Sequence, residues 1–352
     1  MKPNSESDLR VGTGMVEEGL PRLLSAQKTF AAIRWPGQNA VSLYVPDARG
    51  SLQLRLRPFD LQQQPLDASC RLWEGEAIEA LPEFEPAHRA LGQTETERGD
   101  FLDAGAHALA HFKLGGVQKA VLSAVQSLPS DGSDGIEAFE SLCHRRPDDA
   151  VFWFRWPGMG EWMGSSPECL LERTGPSGSC DALAGTKPLD PPRSWTPKEV
   201  EEQQWVADDV RAKLTHSGLA WSETASERVQ GALMHRLTRF SWNVPNDQQS
   251  PTADVALLEQ FHPTPAVGGW PRDQALELIA ALETHQRRLY SGYFAVLEPN
   301  STRAYVVLRC AERTQSGWQA YAGGGWTSAS SALEEWNEIE LKMKLIQAAF
   351  ES

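Results

Sequence analysis

Near the C-terminal end, the segment Ala332-Leu333-Glu334-Glu335-Trp336-Asn337-Glu338-Ile339-Glu340-Leu341-Lys342 gathers charged side chains at helical spacing. In a helix, Glu335, Glu338 and Lys342 fall at i, i+3 and i+7 and share one face. Two carboxylates beside an ammonium could hold a divalent metal next to an anion. Glu199 and Glu202 repeat the i, i+3 spacing far upstream. If the two pairs face each other, four carboxylates form a cage suited to Mg²⁺, which takes hard oxygen ligands and keeps positions for water or substrate. The same spacing also suits a solvated helix, because Glu338 and Lys342 form an ordinary i, i+4 pair. Spacing alone leaves both readings open.

Other residues have the right types for acid–base work. Lys119 stands alone in the apolar run Val117–Ser123. Apolar walls lower a lysine's pKa and make it a possible general base, whereas a strand lysine that reaches solvent stays an ordinary cation. Glu168 follows Gly164-Ser165-Ser166-Pro167, a turn between apolar segments. Burial there would raise its pKa and make it an acid, and exposure would leave it a plain turn glutamate.

A third group suits anions. Ala184-Gly185-Thr186 reads as a tight turn of small residues that could offer backbone N–H groups. Arg309 interrupts the apolar strand expected over 304–311, and a buried guanidinium needs a carboxylate from the protein or a ligand. Gly323-Gly324-Gly325 reads as a turn where backbone could approach a ligand, as it can in any hairpin. His235 lies three residues before Thr238, but the eight histidines form no zinc-type HExxH motif. Nucleotide-binding and serine-hydrolase signatures are absent.

These residues need elements to hold them. Short alternating apolar segments at 29–35, 41–45 and 52–56 predict antiparallel strands. A helix is expected over 97–113, capped by Gly115-Gly116, followed by a strand from Lys119. Thr196 and Pro197 open a helix through about Leu214 that carries Glu199 and Glu202. Another helix is expected over 274–288, then strands at 293–297, 304–311 and 318–322. Strands and helices do not alternate strictly, so the pattern favours an α+β fold with large antiparallel sheets.

Composition narrows the partners. The 352 residues are 41% hydrophobic and 23% charged, an ordinary globular balance. A formal charge of −14 argues against a nucleic-acid partner. An anionic substrate would then need local cations or a bridging metal. Five scattered cysteines, no signal-peptide run and no long apolar stretch predict a cytoplasmic protein with reduced thiols and no membrane span. Residues 1–15 are expected to be disordered and 16–352 to form one domain.

Six segments carry a more specific signal: GSSPECLLER (164–173), ALAGTKP (182–188), FHPTPAVGGWPRDQA (261–275), RRLYSGYFAVL (287–297), YVVLRCAE (305–312) and YAGGGWT with EEWNEIELK (321–342). In this order they resemble the chorismate-binding enzymes, over roughly residues 95–350, with a weaker match over 16–94. The resemblance implies large antiparallel sheets packed face to face with helices outside. Within the family, the FHPTPAVGG and EWNE segments look like isochorismate synthases of the menaquinone and siderophore type. Members that use ammonia typically have glutamine where Lys119 stands, and aminodeoxychorismate synthases place a lysine at the position of Ala184. Both positions therefore imply water as the nucleophile.

The resemblance further implies Lys119 as base and Glu168 as acid. Mg²⁺ would be held by Glu202 and Glu338, with Glu199 and Glu335 acting directly or through waters. Arg309 and Tyr290 would hold the pyruvyl carboxylate of chorismate, helped by backbone near Gly323 and Gly325. Gly185, Thr186, His235 and Lys342 would line the ring-carboxylate side. No obligatory protein partner is expected. The alternatives are a salicylate synthase, an ammonia-using synthase component and a chorismate-binding protein without catalysis. The chain departs from the family pattern at Gln203, often histidine, at Gly324, often alanine, and at Gly-Trp-Thr (325–327), usually Gly-Ile-Val.

Overall fold

The computed structural model describes residues 13–74, 81–128, 135–230 and 233–351. Of the stretch expected to be disordered, residues 1–12 lie outside this description, and helix α1 (Thr13–Ser25) begins at its end. Strands β1 (Phe30–Arg34), β2 (Val41–Pro46), β3 (Leu52–Arg57) and β4 (Leu66–Leu72) follow. Next come α2 (Arg98–Leu114), β5 (Lys119–Ser127), α3 (Ile136–Arg145), β6 (Ala150–Trp156), β7 (Gly160–Ser166), β8 (Cys169–Thr174) and β9 (Ser177–Pro188). The middle of the chain forms α4 (Pro197–His216), β10 (Trp221–Gln230), β11 (Leu233–Asn243), α5 (Pro251–Phe261), β12 (Gly269–Trp270) and α6 (Arg272–Leu282). It closes with β13 (Tyr293–Leu297), β14 (Ser301–Val306), β15 (Cys310–Arg313), β16 (Trp318–Thr327) and α7 (Ala332–Phe350).

The strands pair antiparallel in one continuous ladder, β10-β11-β9-β8-β14-β13-β3-β4-β2-β1-β6-β7-β15-β16-β5-β12. This is the expected α+β fold, with one refinement: the two facing sheets are halves of a single ladder. Phe152 of β6 and Phe294 of β13 have ring centroids 5.1 Å apart although β3, β4, β2 and β1 lie between their strands. In a flat sheet those strands would be roughly 24 Å apart. The ladder therefore folds over, and its inner faces meet.

Most strand residues are buried on both faces, which explains the near-continuous apolar runs. In β6, Phe152 and Phe154 enter the core between the halves, while Val151 and Trp153 pack toward α2, α3 and α7. In β13, Phe294 and Val296 face the central core, and Tyr293, Ala295 and Leu297 face α4 and α5. A one-residue slip would exchange these faces. All five cysteines are free, and no helix among the described residues is long and apolar enough to cross a membrane.

Several boundaries differ from the sequence reading. Helix α6 stops at Leu282, short of the expected 288. The Glu283 carboxylate turns back to accept from the Ser123 N–H, on the part of the β5 edge that two-residue β12 does not reach, and Arg287 binds the same carboxylate. The strand expected over 304–311 is broken into β14 and β15, and Arg309 sits in the break with φ 43°. Gly323–Gly325 lie inside β16 and not in a turn.

Candidate active site

A cleft opens between the two halves of the ladder. Lys119 begins β5, whose pairing with β16 sets Val121 opposite Gly325 and Ser123 opposite Gly323. Side chains alternate, so Lys119 and Val121 line the cleft while Ala120, Leu122 and Ala124 join the helix-covered core. The glycines leave this wall bare. A Cβ at Gly325 would stand 3.0 Å from Lys119 Cε and 3.5 Å from both Glu202 carboxylate oxygens, and one at Gly323 would stand 2.7 Å from the Tyr290 hydroxyl. Lys119 is only 2% exposed. Burial pushes its pKa below the usual lysine value, against the opposing pull of the Glu202 and Glu168 carboxylates.

Glu168 lies where the chain leaves β7 in one half and enters β8 in the other. It is buried, and its backbone carbonyl accepts from Val306 N–H at 3.1 Å. Burial pushes its carboxyl up to about 8, only partly offset by a hydrogen bond from Thr264 and by Lys119. Burial thus shifts both groups toward their neutral forms. Thr264 lies in the family-like segment 261–275, but no spacing in the sequence marks it as a partner of Glu168.

The opposite wall suits an anion. Thr186 Oγ1 is 3.0 Å from His235 Nδ1, and Arg309 Nη2 reaches His235 Nε2 at 3.5 Å. Since Arg309 can only donate, Nε2 accepts and Nδ1–H donates to Thr186. Burial, then Arg309, push His235 down to about 3, so its ring is neutral at pH 7. Arg309 Nη1 also pairs with buried Asp149 at 3.1 Å. The groups expected at the two substrate carboxylates therefore adjoin. Gly185, expected in a turn, lies within β9 at φ 71°, beside the register shift between His235 and Arg236 of β11. Tyr290 stacks on Tyr321, centroids 5.6 Å apart, and Lys342 Nζ donates to the Gly323 carbonyl at 2.6 Å.

The acidic residues gather only in part. Glu202 and Glu338 line the cleft. Glu199 is the N3 residue of α4, where its carboxylate accepts from the Thr196 N–H at 2.8 Å and is held by Arg193. Glu335 is bound by Lys198, which also stands 3.7 Å from Glu202. The expected four-carboxylate cage is therefore not assembled as the side chains stand. Among the described residues, no group of three or more His, Cys, Asp or Glu side chains is placed to hold a metal. The reasons are local: helix capping claims Glu199, and Lys198 claims Glu335.

The donor set still fits a hard cation. Glu335 Oε2 is buried with no hydrogen-bond partner. Burial raises the pKa of Glu202 and Glu335, and in both cases Glu338 adds to the rise. For Glu338 itself, burial pushes upward, but the Lys342 ammonium at 2.7 Å, together with Lys198 and Lys119, holds the carboxyl below its usual range. Oxygen donors of this kind suit Mg²⁺.

Two departures from the family pattern have local explanations. Gln203 is buried and donates to Thr238 Oγ1 at 2.7 Å. Trp326 packs over Gly105 of α2, where a Cβ would come within 1.9 Å of its ring, and against Phe101. The larger side chain is accommodated by a glycine in the covering helix.

The model of the family described as chorismate binding enzyme matches residues 26–348. The chain is 27% identical over 280 residues to isochorismate synthase MenF of Haemophilus influenzae, covering 76% of this chain and 63% of that protein. It is 26% identical over 334 residues to isochorismate synthase EntC of Escherichia coli, covering 91% of this chain and 80% of that protein. Among solved structures, the menaquinone-specific isochorismate synthase MenF of Escherichia coli superposes with TM-score 0.76 at 21% identity, over 95% of this chain and 91% of that one. Anthranilate synthase component I of Streptococcus pneumoniae superposes with TM-score 0.64 at 16% identity, over 94% of this chain and 85% of that one. The structural likenesses carry the fold, and the family match spans nearly the whole described chain: this protein belongs to the chorismate-binding enzyme family.

Proposed function

We propose that the protein is an isochorismate synthase, which moves the hydroxyl of chorismate from C4 to C2 with transposition of the ring double bonds. The observation that carries this reading is the pairing of a buried lysine of lowered pKa with a buried carboxyl of raised pKa in one cleft. Both relatives described above by sequence are named isochorismate synthases.

The chemistry needs both groups. Water is a poor nucleophile, so neutral Lys119 takes its proton as the oxygen bonds to C2. Hydroxide is a poor leaving group, so protonated Glu168 gives its proton to the C4 oxygen as that bond breaks. Water is consumed and released in equal amounts, and a net proton transfer from Lys119 to Glu168 resets the site. An amine nucleophile would have no need of a lysine base at this position, and position 184 carries alanine in place of a lysine.

Chorismate is a dianion. Arg309 and Thr186 offer donors to a carboxylate on one wall, with the neutral His235 ring bridging the two, while the bare strand at Gly323 and Gly325 admits the substrate ring. Tyr290 closes the floor. Glu202 and Glu338, with Glu335 and Glu199 as further oxygen donors, are the residues that would hold Mg²⁺. When bound, such an ion screens these carboxylates from an anionic substrate and polarises its carboxylate. Incubation with chorismate and MgCl₂, followed by chromatography, tests the reading. Isochorismate is the expected product; salicylate with pyruvate, or an aminobenzoate with ammonium, would assign a different family activity.

A further inference from the structure

Lys198 lies in the first turn of α4, one residue before Glu199 and four before Glu202. Its ammonium contacts Glu335 Oε1 at the start of α7 and stands 3.7 Å from Glu202 Oε1. Glu338 also acts on it electrostatically. One monovalent cation is therefore shared among carboxylates from two helices. A cation in the first turn opposes the helix dipole, so the surrounding carboxylates must supply the attraction that holds it there. It serves Glu335 incompletely: that side chain is 2% exposed, and its second oxygen has no partner. Nothing crowds this oxygen from β16, where even a Cβ at Gly324 would lie 3.4 Å away.

We infer that Lys198 is an internal counter-cation of the carboxylate cluster, and that Mg²⁺ binding requires its ammonium to leave Glu335 and Glu202. The inference rests on the Mg²⁺ part of the proposed function. Carboxylate oxygens that ligate the ion cannot keep close contact with the ammonium, and two like charges a few ångströms apart repel strongly at low dielectric. Lysine suits the role because its ammonium is a compact point charge on a flexible stem. Arginine's larger planar fork would grip the same carboxylates more firmly.

Calorimetric titration of MgCl₂ into the substrate-free full-length chain, at constant ionic strength and fixed pH, tests this. Lys198→Met should bind Mg²⁺ roughly 10-fold more tightly than the wild type, equivalent to about 1.4 kcal/mol of removed competition. Lys198→Arg should bind no more tightly than the wild type. Without metal, Lys198→Met should melt lower than the wild type, and saturating MgCl₂ should raise its Tm by more. If Lys198→Met fails to fold, Lys198→Gln carries the same comparison. Equal or weaker affinity in the neutral variant overturns the inference and leaves the proposed reaction standing. Absence of Mg²⁺ binding in every variant overturns both the inference and the metal reading.

Discussion

Thr264 Oγ1 lies 3.2 Å from Glu168 Oε1 and donates to it. This is the hydrogen bond that moderates a carboxyl otherwise driven upward by burial. Thr264→Val removes a donor that favours the ionised form. The Glu168 pKa should rise further, by roughly one unit, and the alkaline limb of the turnover profile should move with it. kcat should fall, because a weaker acid protonates the C4 oxygen less readily. An unmoved alkaline limb would show that Glu168 does not control it.

The wild-type pH profile should be bell-shaped. Lys119 must be neutral, so kcat/KM falls on the acid side as Lys119 takes up a proton. Glu168 must be protonated, so activity falls as pH rises through about 8. The same shift affects stability. Folded Glu168 holds its proton to about 8, against 4.5 when unfolded. Its contribution is full below the unfolded value and is lost as pH rises through the folded one. Denaturant titrations of Glu168→Gln should lack this part of the decline between the two values.

Gly325 separates the reaction from the fold. A Cβ there would meet Lys119 and the Glu202 carboxylate. Gly325→Ala should lower kcat/KM by about 10-fold or more, with only a small change in melting temperature. Steady-state kinetics beside a thermal melt checks this; undiminished activity would place the substrate elsewhere.

Far from the cleft, Arg173 is buried against Asp254, with Nε 2.9 and 2.8 Å from the two carboxylate oxygens. Asp254→Ala leaves the guanidinium buried without its partner. Unfolding free energy should drop by about 3–5 kcal/mol, measured by urea titration, while kcat/KM of the folded fraction stays near wild type.

The elements around the site were largely readable in the sequence. The Thr196-Pro197 start of α4 and the Lys119 start of β5 follow local rules of capping and apolar patterning. Long-range pairing was not readable. Gly185 and Gly323–Gly325 look like turns because glycine usually marks them, yet β11 and β5 recruit these segments into strands. Arg309 looked like a strand residue, but its left-handed backbone falls in a break between strands. Glu199 and Glu202 share one spacing, but capping and Arg193 turn Glu199 aside. Thr264 and Lys198 carry no local signal, because their partners, Glu168 and Glu335, lie 96 and 137 residues away.

Water as the nucleophile is tested by turning over chorismate with MgCl₂ in H₂¹⁸O and analysing the product by mass spectrometry and NMR. Isochorismate carrying one ¹⁸O in the C2 hydroxyl, with no pyruvate released, is the expected result. Unlabelled isochorismate, salicylate with pyruvate, or an aminobenzoate formed in ammonium buffer would contradict it.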